Sequence, residues 1–338
     1  MTSRWKDIGF RLYRTGRALG IVGGAYSVGY QSGLATYAAD PRQVDAEMTK
    51  QVLASAGATN GPLSRTSPET RYVESVGNRI LAAARAHCQS KLVELDVIER
   101  RSLDASPKSV YSRVSQPDST VGGMGTYNLD EERAFWAANL AKLDGDWSFL
   151  VAAPPDESVN AFVTDVVPRK VFVLGGMLTK IKLTPDELAL CLAHELSHLL
   201  LGHSAQKSRL ELALNALQLG LLINFPELTI FSDQLGDYAR GIVSKMYSRE
   251  FETEADALGC AIAARACYDV AKGAQLFLKL QAVEGASTTV SWLRSHPVSE
   301  DRHQVAAAFT VTTSAPNCRG VQQDLAACAL ARKIGIAC

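Results

Sequence analysis

Apolar residues recur every three or four positions along most of the chain and alternate only in a short central stretch, which predicts an α+β protein, mostly helical, with a small sheet. Residues 41–90 read as helical. The clearest segment is PETRYVESVGNRILAAARAHC, opened by Pro68 and Glu69, with Tyr72, Val73, Val76, Ile80, Leu81 and Ala84 as its apolar stripe. Residues 100–128 carry DASPKS, SQPDST and VGGMGT and are predicted as a loop. NLDEERAFWAANLAKL (128–143) predicts a short amphipathic helix, while WSFLVAA (147–153) and KVFVLGGML (170–178) predict strands flanking a short extended piece, VNAFV (159–163). From residue 185 the pattern is helical almost to the end, with Gly and Pro breaks near 220, 226, 236 and 285. Within it LELALNALQLGLLINF (210–225) falls short of a full bilayer span and is expected to be a buried or interfacial helix.

Composition adds bounds. The chain has 338 residues, 47% of them hydrophobic, enough for a substantial core in one large domain or one domain with extensions. Lys plus Arg number 35 and Asp plus Glu number 35, so the overall charge gives no reason to expect a nucleic-acid partner. The seven cysteines form no CxxC pair, which removes zinc-ribbon and thioredoxin-like readings. Cys318, Cys328 and Cys338 lie in a polar tail where a bridge such as Cys318 to Cys328 would close easily, in keeping with an oxidising compartment. Cys88, Cys191, Cys260 and Cys267 sit in apolar helical contexts and read as small buried hydrophobes. The N-terminus is basic through Arg4, Lys6, Arg11, Arg14 and Arg17, and residues 18–39 are uncharged and glycine-rich. Gly20 and Gly24, then Gly29 and Gly33, have the spacing at which membrane helices approach closely, but Gln31 and the serines weaken a span. A membrane anchor, a loosely ordered extension and an organellar targeting segment all stay open.

The chemistry concentrates in CLAHELSHLLLGH (191–203). Thr184, Pro185 and Glu187 spell a capping box at the head of this helix, and Gly202 is a natural stop. His194 and His198 are four apart, so their rings leave one helix face and can bind a single ion, with Glu195 on the adjacent edge. Two neutral imidazoles suit Zn²⁺, and Glu195 is placed to take a proton from the attacking water and pass it to the leaving amine. The plain alternative, two core histidines beside a surface glutamate, would bury ionisable groups in a Leu-rich helix at considerable cost. A third ligand is needed. His203 lies past Gly202, out of register for that role, and reads as structural or surface. In YSREFETEADALGC (247–260) Glu252 and Asp256 share one helical face and Glu250 and Glu254 another, and spacing alone does not choose between the pairs.

The HExxH helix followed about fifty residues later by S-R-x-x-E-x-E-A-D-x-x-G resembles the gluzincin family that includes the CAAX prenyl protease, HtpX, BepA and the mitochondrial OMA-type protease. The resemblance implies a zincin-like domain in which an edge strand borders the active-site helix. It makes Glu252 the third Zn²⁺ ligand beside His194 and His198, one ion per chain, and Asp256 the residue that orients a ligating histidine. SVNAF resembles the family's V-N-A-F/Y segment, which makes Asn160, Ala161 and Phe162 a strand that substrate backbone pairs with. WLRSHPVSEDR (292–302) resembles a later His-Pro element and brings His296 to the zinc region, as a transition-state donor or a displaceable blocking ligand, with Arg302 nearby. The chain departs from the family in VTDVVPRK, where a tight P-G-G turn is usual, and in the polar insertion around 100–145.

The resemblance is nearest to the OMA-type branch. It implies a zinc metalloendopeptidase acting on membrane or misfolded proteins, with protein or peptide substrates, membrane association, and a homo-oligomer as an open option. The implied address is the mitochondrial inner membrane facing the intermembrane space, or alternatively a bacterial periplasm or envelope. A chaperone or assembly factor with a latent zinc domain is the rival reading. The expected organisation is a basic N-terminus and anchor or targeting segment (1–40), a peptidase domain (41–309) and a cysteine-containing tail (310–338).

Overall fold

The computed structural model describes residues 41–58, 60–104, 128–153, 158–209, 212–213, 249–284, 292, 296, 300–309, 318 and 325–338. The expectations for residues 18–39, for nearly all of 210–225 and for the breaks near 220, 226, 236 and 285 fall outside these residues.

Helix α1 (Pro41–Ser55) is followed by α2 (Pro68–Asp104), α3 (Leu129–Lys142), the strands β1 (Ser148–Val151), β2 (Ala161–Val163) and β3 (Lys170–Val173), and α4 (Gly175–Thr179). Next come α5 (Pro185–Leu201), a helical stretch at 203–209, and α6 (249–265). The described residues are therefore mostly helical, with one three-stranded mixed sheet. The stripe expected on α2 is its buried face: Tyr72, Val73, Val76 and Ala84 have no exposed surface, and Ile80 and Leu81 have 3% or less. Gly77 lets this face press onto β1, because a Cβ there would lie 2.0 Å from Cε1 of the buried Phe149 ring. The Tyr72 hydroxyl donates to Leu183 O at 2.8 Å and ties α2 to the approach of α5.

The sheet order is β1-β3-β2, with β1 parallel and β2 antiparallel to β3. The outer side of β1 is occupied by the chain at 61–63, through Leu63 N–H to Val151 O at 2.8 Å and Ala153 N–H to Gly61 O at 3.1 Å. That leaves β2, which packs against α5, as the outer strand opposite β1. Phe162 and Phe172 face each other across the β2–β3 pair with centroids 4.9 Å apart and hold the register.

Several sequence expectations change. The run KVFVLGGML is a strand only to Val173, and Gly175–Thr179 coils into α4, since a short buried apolar run fits either element. The helical stretch expected at 41–90 is two helices, broken at 56–67, where Gly57 takes φ +89°. Helix α2 continues to Asp104, into the predicted loop, while 105–127 lie outside the described residues. The end of the supposed insertion is integral: Asn128 caps α3 by accepting from the Asp130 and Glu131 amides, Trp136 is buried against the core, and Arg133 pairs with Asp96 and Glu99 of α2. Cys267 is not a free buried hydrophobe; it turns past the end of α6 at φ +62° and bonds to Cys318, and Cys328 bonds to Cys338 rather than to Cys318. Cys88, Cys191 and Cys260 are free and buried. Among the described residues no helix is long and apolar enough to cross a membrane.

Replacing Gly77 tests the α2–β1 contact. A Gly77→Val side chain has to displace the Phe149 ring in a packed core, and overpacking of this kind costs about 1–3 kcal/mol. Urea denaturation should show that loss, and unchanged stability would contradict the close approach.

Candidate active site

Both ends of α5 are held. Thr184 Oγ1 accepts from the Glu187 amide, Glu187 Oε2 accepts from the Thr184 amide at 2.8 Å, and Pro185 occupies the first turn. Lys279 reaches the same carboxylate at 2.6 Å. At the other end Gly202 adopts φ 69°, ψ 27°, and its N–H caps the carbonyls of His198 and Leu199. Between the caps nearly every residue is buried, His194 at 2% and Glu195 at 4% exposure included.

Helix α6 crosses α5 at Gly259, where an added Cβ would sit 3.1 Å from both Cα and N of His194. This approach carries Glu252 and Asp256, on one face of α6, to the two histidines. The Nε2 atoms of His194 and His198 are 3.0 Å apart, and the Glu252 carboxylate reaches them at 3.4 and 3.3 Å. His296 Nδ1 joins at 2.9 Å from Glu252 Oε1, so that one donor atom from each of His194, His198, Glu252 and His296 lies within 4.8 Å of the others. Asp256 Oδ1 lies 2.9 Å from His194 Nδ1, the ring nitrogen that faces away from the cluster. Arg302 grips Asp256 with Nε at 2.7 Å and Nη2 at 2.8 Å, and its Nη1 reaches Glu252 at 2.9 Å. The structure thus assembles His194, Glu195, His198, Glu252, Asp256, His296 and Arg302. Of the two acidic pairs left open by spacing, Glu252 and Asp256 are buried and Glu250 is exposed.

The donor set fits a divalent cation. Among the described residues, Glu195, Glu252 and Asp256 are three buried carboxylates, and Arg302 is the one buried guanidinium beside them. With neutral imidazoles this leaves a formal excess of two negative charges, which a dication would offset. Nitrogen and oxygen donors from histidine and glutamate suit Zn²⁺ or a similar ion.

The protonation pattern follows from the contacts. Burial acts to raise the Glu252 carboxyl, but hydrogen bonds from His194, His198 and His296 outweigh it and hold the group far below the usual carboxylate range. Asp256 is lowered in the same way, by His194 and Arg302 against burial. Burial acts to lower His194, but hydrogen bonds to Asp256 and Glu252 prevail and raise it to about 9. His198 is lowered, chiefly by burial.

Two participants were missed or left undecided by the sequence. Trp292 Nε1–H donates to Glu195 Oε1 at 2.9 Å, and its ring lies 4.7 Å from that of His296. Its backbone N–H donates to Val159 O at 3.1 Å, just ahead of β2, and Trp292 O accepts from His296 N–H at 2.8 Å. Trp292 opens the WLRSHP element, but spacing carried no sign of a role. Of the two options left for His203, structural or surface, burial selects the first: it is 3% exposed, and its Nδ1 lies 2.8 Å from His198 Nδ1. Burial, aided by nearby His198, lowers it to about 4.

Of the strand residues, Ala161 and Phe162 lie in β2 and Asn160 immediately precedes it. Asn160 O accepts from Leu174 N–H at 2.8 Å, and its side-chain Oδ1 is buried with no hydrogen-bond partner among the described residues.

A pH prediction follows from His194. Without metal its pKa is raised above 6.5 to about 9, so the stability contributed by the charged ring is fully present below 6.5 and is lost as the pH rises through about 9. A metal needs the neutral ring and competes with that proton below about 9. The rise in melting temperature of the Zn²⁺-supplemented over the chelated protein should therefore grow from pH 6.5 towards pH 9. A difference that does not change with pH would contradict this assignment.

Residues 131–309 match peptidase family M48. The chain is 32% identical over 173 residues to "Metalloendopeptidase OMA1, mitochondrial" of Bos taurus, covering 46% of this chain and 31% of that protein. It is 32% identical over 161 residues to "Mitochondrial metalloendopeptidase OMA1" of Schizosaccharomyces pombe, covering 47% and 45%. With "Metalloprotease YcaL" of Escherichia coli it shares 30% identity over 135 residues, covering 40% and 52%. The matched segments span between about a third and a half of these relatives' own lengths. With a match extending over more than half of its residues and containing the whole HExxH cluster, the chain belongs to peptidase family M48.

Proposed function

We propose that this protein is a zinc-dependent metalloendopeptidase, with one Zn²⁺ per chain held by His194, His198 and Glu252. The observation that carries the reading is the convergence of these three donors in a buried, negatively charged cluster with Glu195 on the same helix. When bound, zinc supplies Lewis acidity, lowering the pKa of a water and polarising the scissile carbonyl. Glu195 takes the proton of the attacking water on its carboxylate and later delivers it to the leaving nitrogen. Trp292 Nε1–H orients that carboxylate. Asp256 fixes the His194 ring, and Arg302 offsets the charge of Asp256 and Glu252. Substrate backbone adds to the outer side of β2 at Asn160, Ala161 and Phe162 and is thereby laid along α5.

A second reading, a chaperone or assembly factor with a latent peptidase domain, is favoured by one feature. His296 stands among the ligand atoms, 2.9 Å from Glu252 and 3.4 Å from Glu195, where it can complete the coordination and idle the site. The same position would let it donate to the developing oxyanion.

For the setting, we propose a membrane-associated enzyme, alone or as a homo-oligomer, that removes or processes membrane or misfolded proteins. We assign 1–40 to targeting or anchoring, 41–309 to the peptidase domain and 310–338 to the tail. The Cys267–Cys318 and Cys328–Cys338 bridges favour an oxidising compartment. The names of the OMA1 relatives favour a mitochondrial address; within it we assign the inner membrane facing the intermembrane space, as the family resemblance implies, with a bacterial periplasm or envelope as the alternative.

Glu195→Gln should bind zinc as the unaltered protein does and lose about 10²–10⁴-fold in peptide cleavage. Cleavage at the unaltered rate would refute the general-base assignment. His296→Ala separates the two readings: faster cleavage supports the latent domain, and slower cleavage with zinc retained supports a catalytic donor.

A further inference from the structure

Outside the converging donors lies a second line of contacts. His203 Nδ1 is 2.8 Å from His198 Nδ1, and His203 Nε2 is 3.1 Å from Glu254 Oε2. The His203 ring stacks on Phe251, with centroids 4.3 Å apart and planes 11° from parallel. The His203 side chain is 4% exposed and that of Glu254 is 32% exposed. We propose that His203 is a positioning residue that fixes the His198 ring and holds it in the tautomer able to bind metal through Nε2, with Glu254 holding His203 in turn. The proposal rests on the metal-site reading above and extends it to residues that do not face the ion.

The direction of the chain follows from elementary donor rules. An imidazole that ligates through Nε2 carries its proton on Nδ1, and that N–H needs an acceptor once it is away from water. For His194 the carboxylate in place is Asp256, 2.9 Å from Nδ1. For His198 the group in place is His203 Nδ1, which can accept only if the His203 proton sits on Nε2. Glu254 enforces that arrangement, because an ionised carboxylate accepts and does not donate. In the reverse arrangement His198 would carry its proton on Nε2, against His194 and Glu252, and His203 would turn a lone pair towards the Glu254 carboxylate. Stacking on Phe251 restrains the ring against leaving the chain. The backbone conformation makes the contact available. A residue five places after His198 on an unbroken helix would point to a different face, but Gly202 at φ 69° ends α5 and redirects the chain, so that His203 starts the stretch at 203–209 facing His198.

The two ligating histidines therefore differ in their support. His194 is backed by a carboxylate that Arg302 neutralises, whereas His198 is backed by a neutral imidazole leading to a partly exposed carboxylate. Loss of His203 strands the His198 N–H in the interior and frees the ring to turn, so it should weaken metal binding without altering the ligand set.

The test is Zn²⁺ affinity by competition with a chromophoric chelator, on the full chain, alongside the melting temperature of the metal-free protein. His203→Phe keeps an aromatic ring on Phe251 and removes the acceptor. It should weaken zinc about 10–100-fold with little change in the metal-free melting temperature, and His203→Gln, which restores an acceptor, should recover most of the loss. Zinc bound by His203→Phe as tightly as by the unaltered protein would overturn the proposal. If His203→Phe does not fold, Glu254→Ala decides: a several-fold weaker affinity, restored by Glu254→Gln, supports the chain, and an unchanged affinity overturns it. His194→Ala separates the two levels. Zinc lost in His194→Ala but kept in the His203 and Glu254 variants rejects the positioning role alone, and no zinc in the unaltered protein rejects both readings.

Discussion

Among the described residues, three carboxylates buried around a single guanidinium are the constraint on which the rest of this structure turns. Glu195, Glu252 and Asp256 carry more charge than the Arg302 guanidinium offsets, so in a water-excluded space they repel one another. Protons can relieve the excess, and the raised pKa of His194 shows that tendency. A divalent ion relieves it more completely, and at the point where two imidazole nitrogens and a carboxylate already meet. The burial of the HExxH helix sharpens that repulsion, and the double grip of Arg302 on Asp256 offsets only part of it.

Geometry then depends on how closely two helices cross. Helix α6 lies against α5 at Gly259, which leaves no room for a methyl group above His194 and brings the Glu252–Asp256 face within hydrogen-bond reach. The sheet contributes one outer strand beside α5, and α2 holds both through Tyr72 and Gly77. Trp292 and His296 close the arrangement, touching the Glu195 carboxylate, the ligand cluster and the head of β2. Trp292 contacts both Glu195 and Val159, just ahead of β2, and this gives the latent-domain reading its physical content.

What could be read from the sequence was what local chemistry decides. The capped α5 helix, its paired histidines and the apolar stripe of α2 are short-range patterns, and the structure reproduces them at those residues. Choosing between Glu252–Asp256 and Glu250–Glu254 needed a tertiary contact that spacing does not encode, and the choice came from resemblance. KVFVLGGML misled because a short apolar run suits a strand and a buried helical turn equally well. Cys267 pairs with a residue 51 positions away, a separation at which sequence offers no pairing rule. His203 was left between a structural and a surface role because it lies past Gly202, and where the chain turns after a left-handed glycine is not fixed by helical spacing.

The central claim is that this cluster holds one zinc ion through nitrogen and oxygen donors. Metal analysis of the purified protein combined with zinc-edge X-ray absorption addresses it directly. The account predicts one zinc per chain, with imidazole and carboxylate donors at about 2.0–2.2 Å and no sulfur neighbour. Protein that takes up no zinc after supplementation and dialysis, or zinc bound by cysteine sulfur, would contradict it.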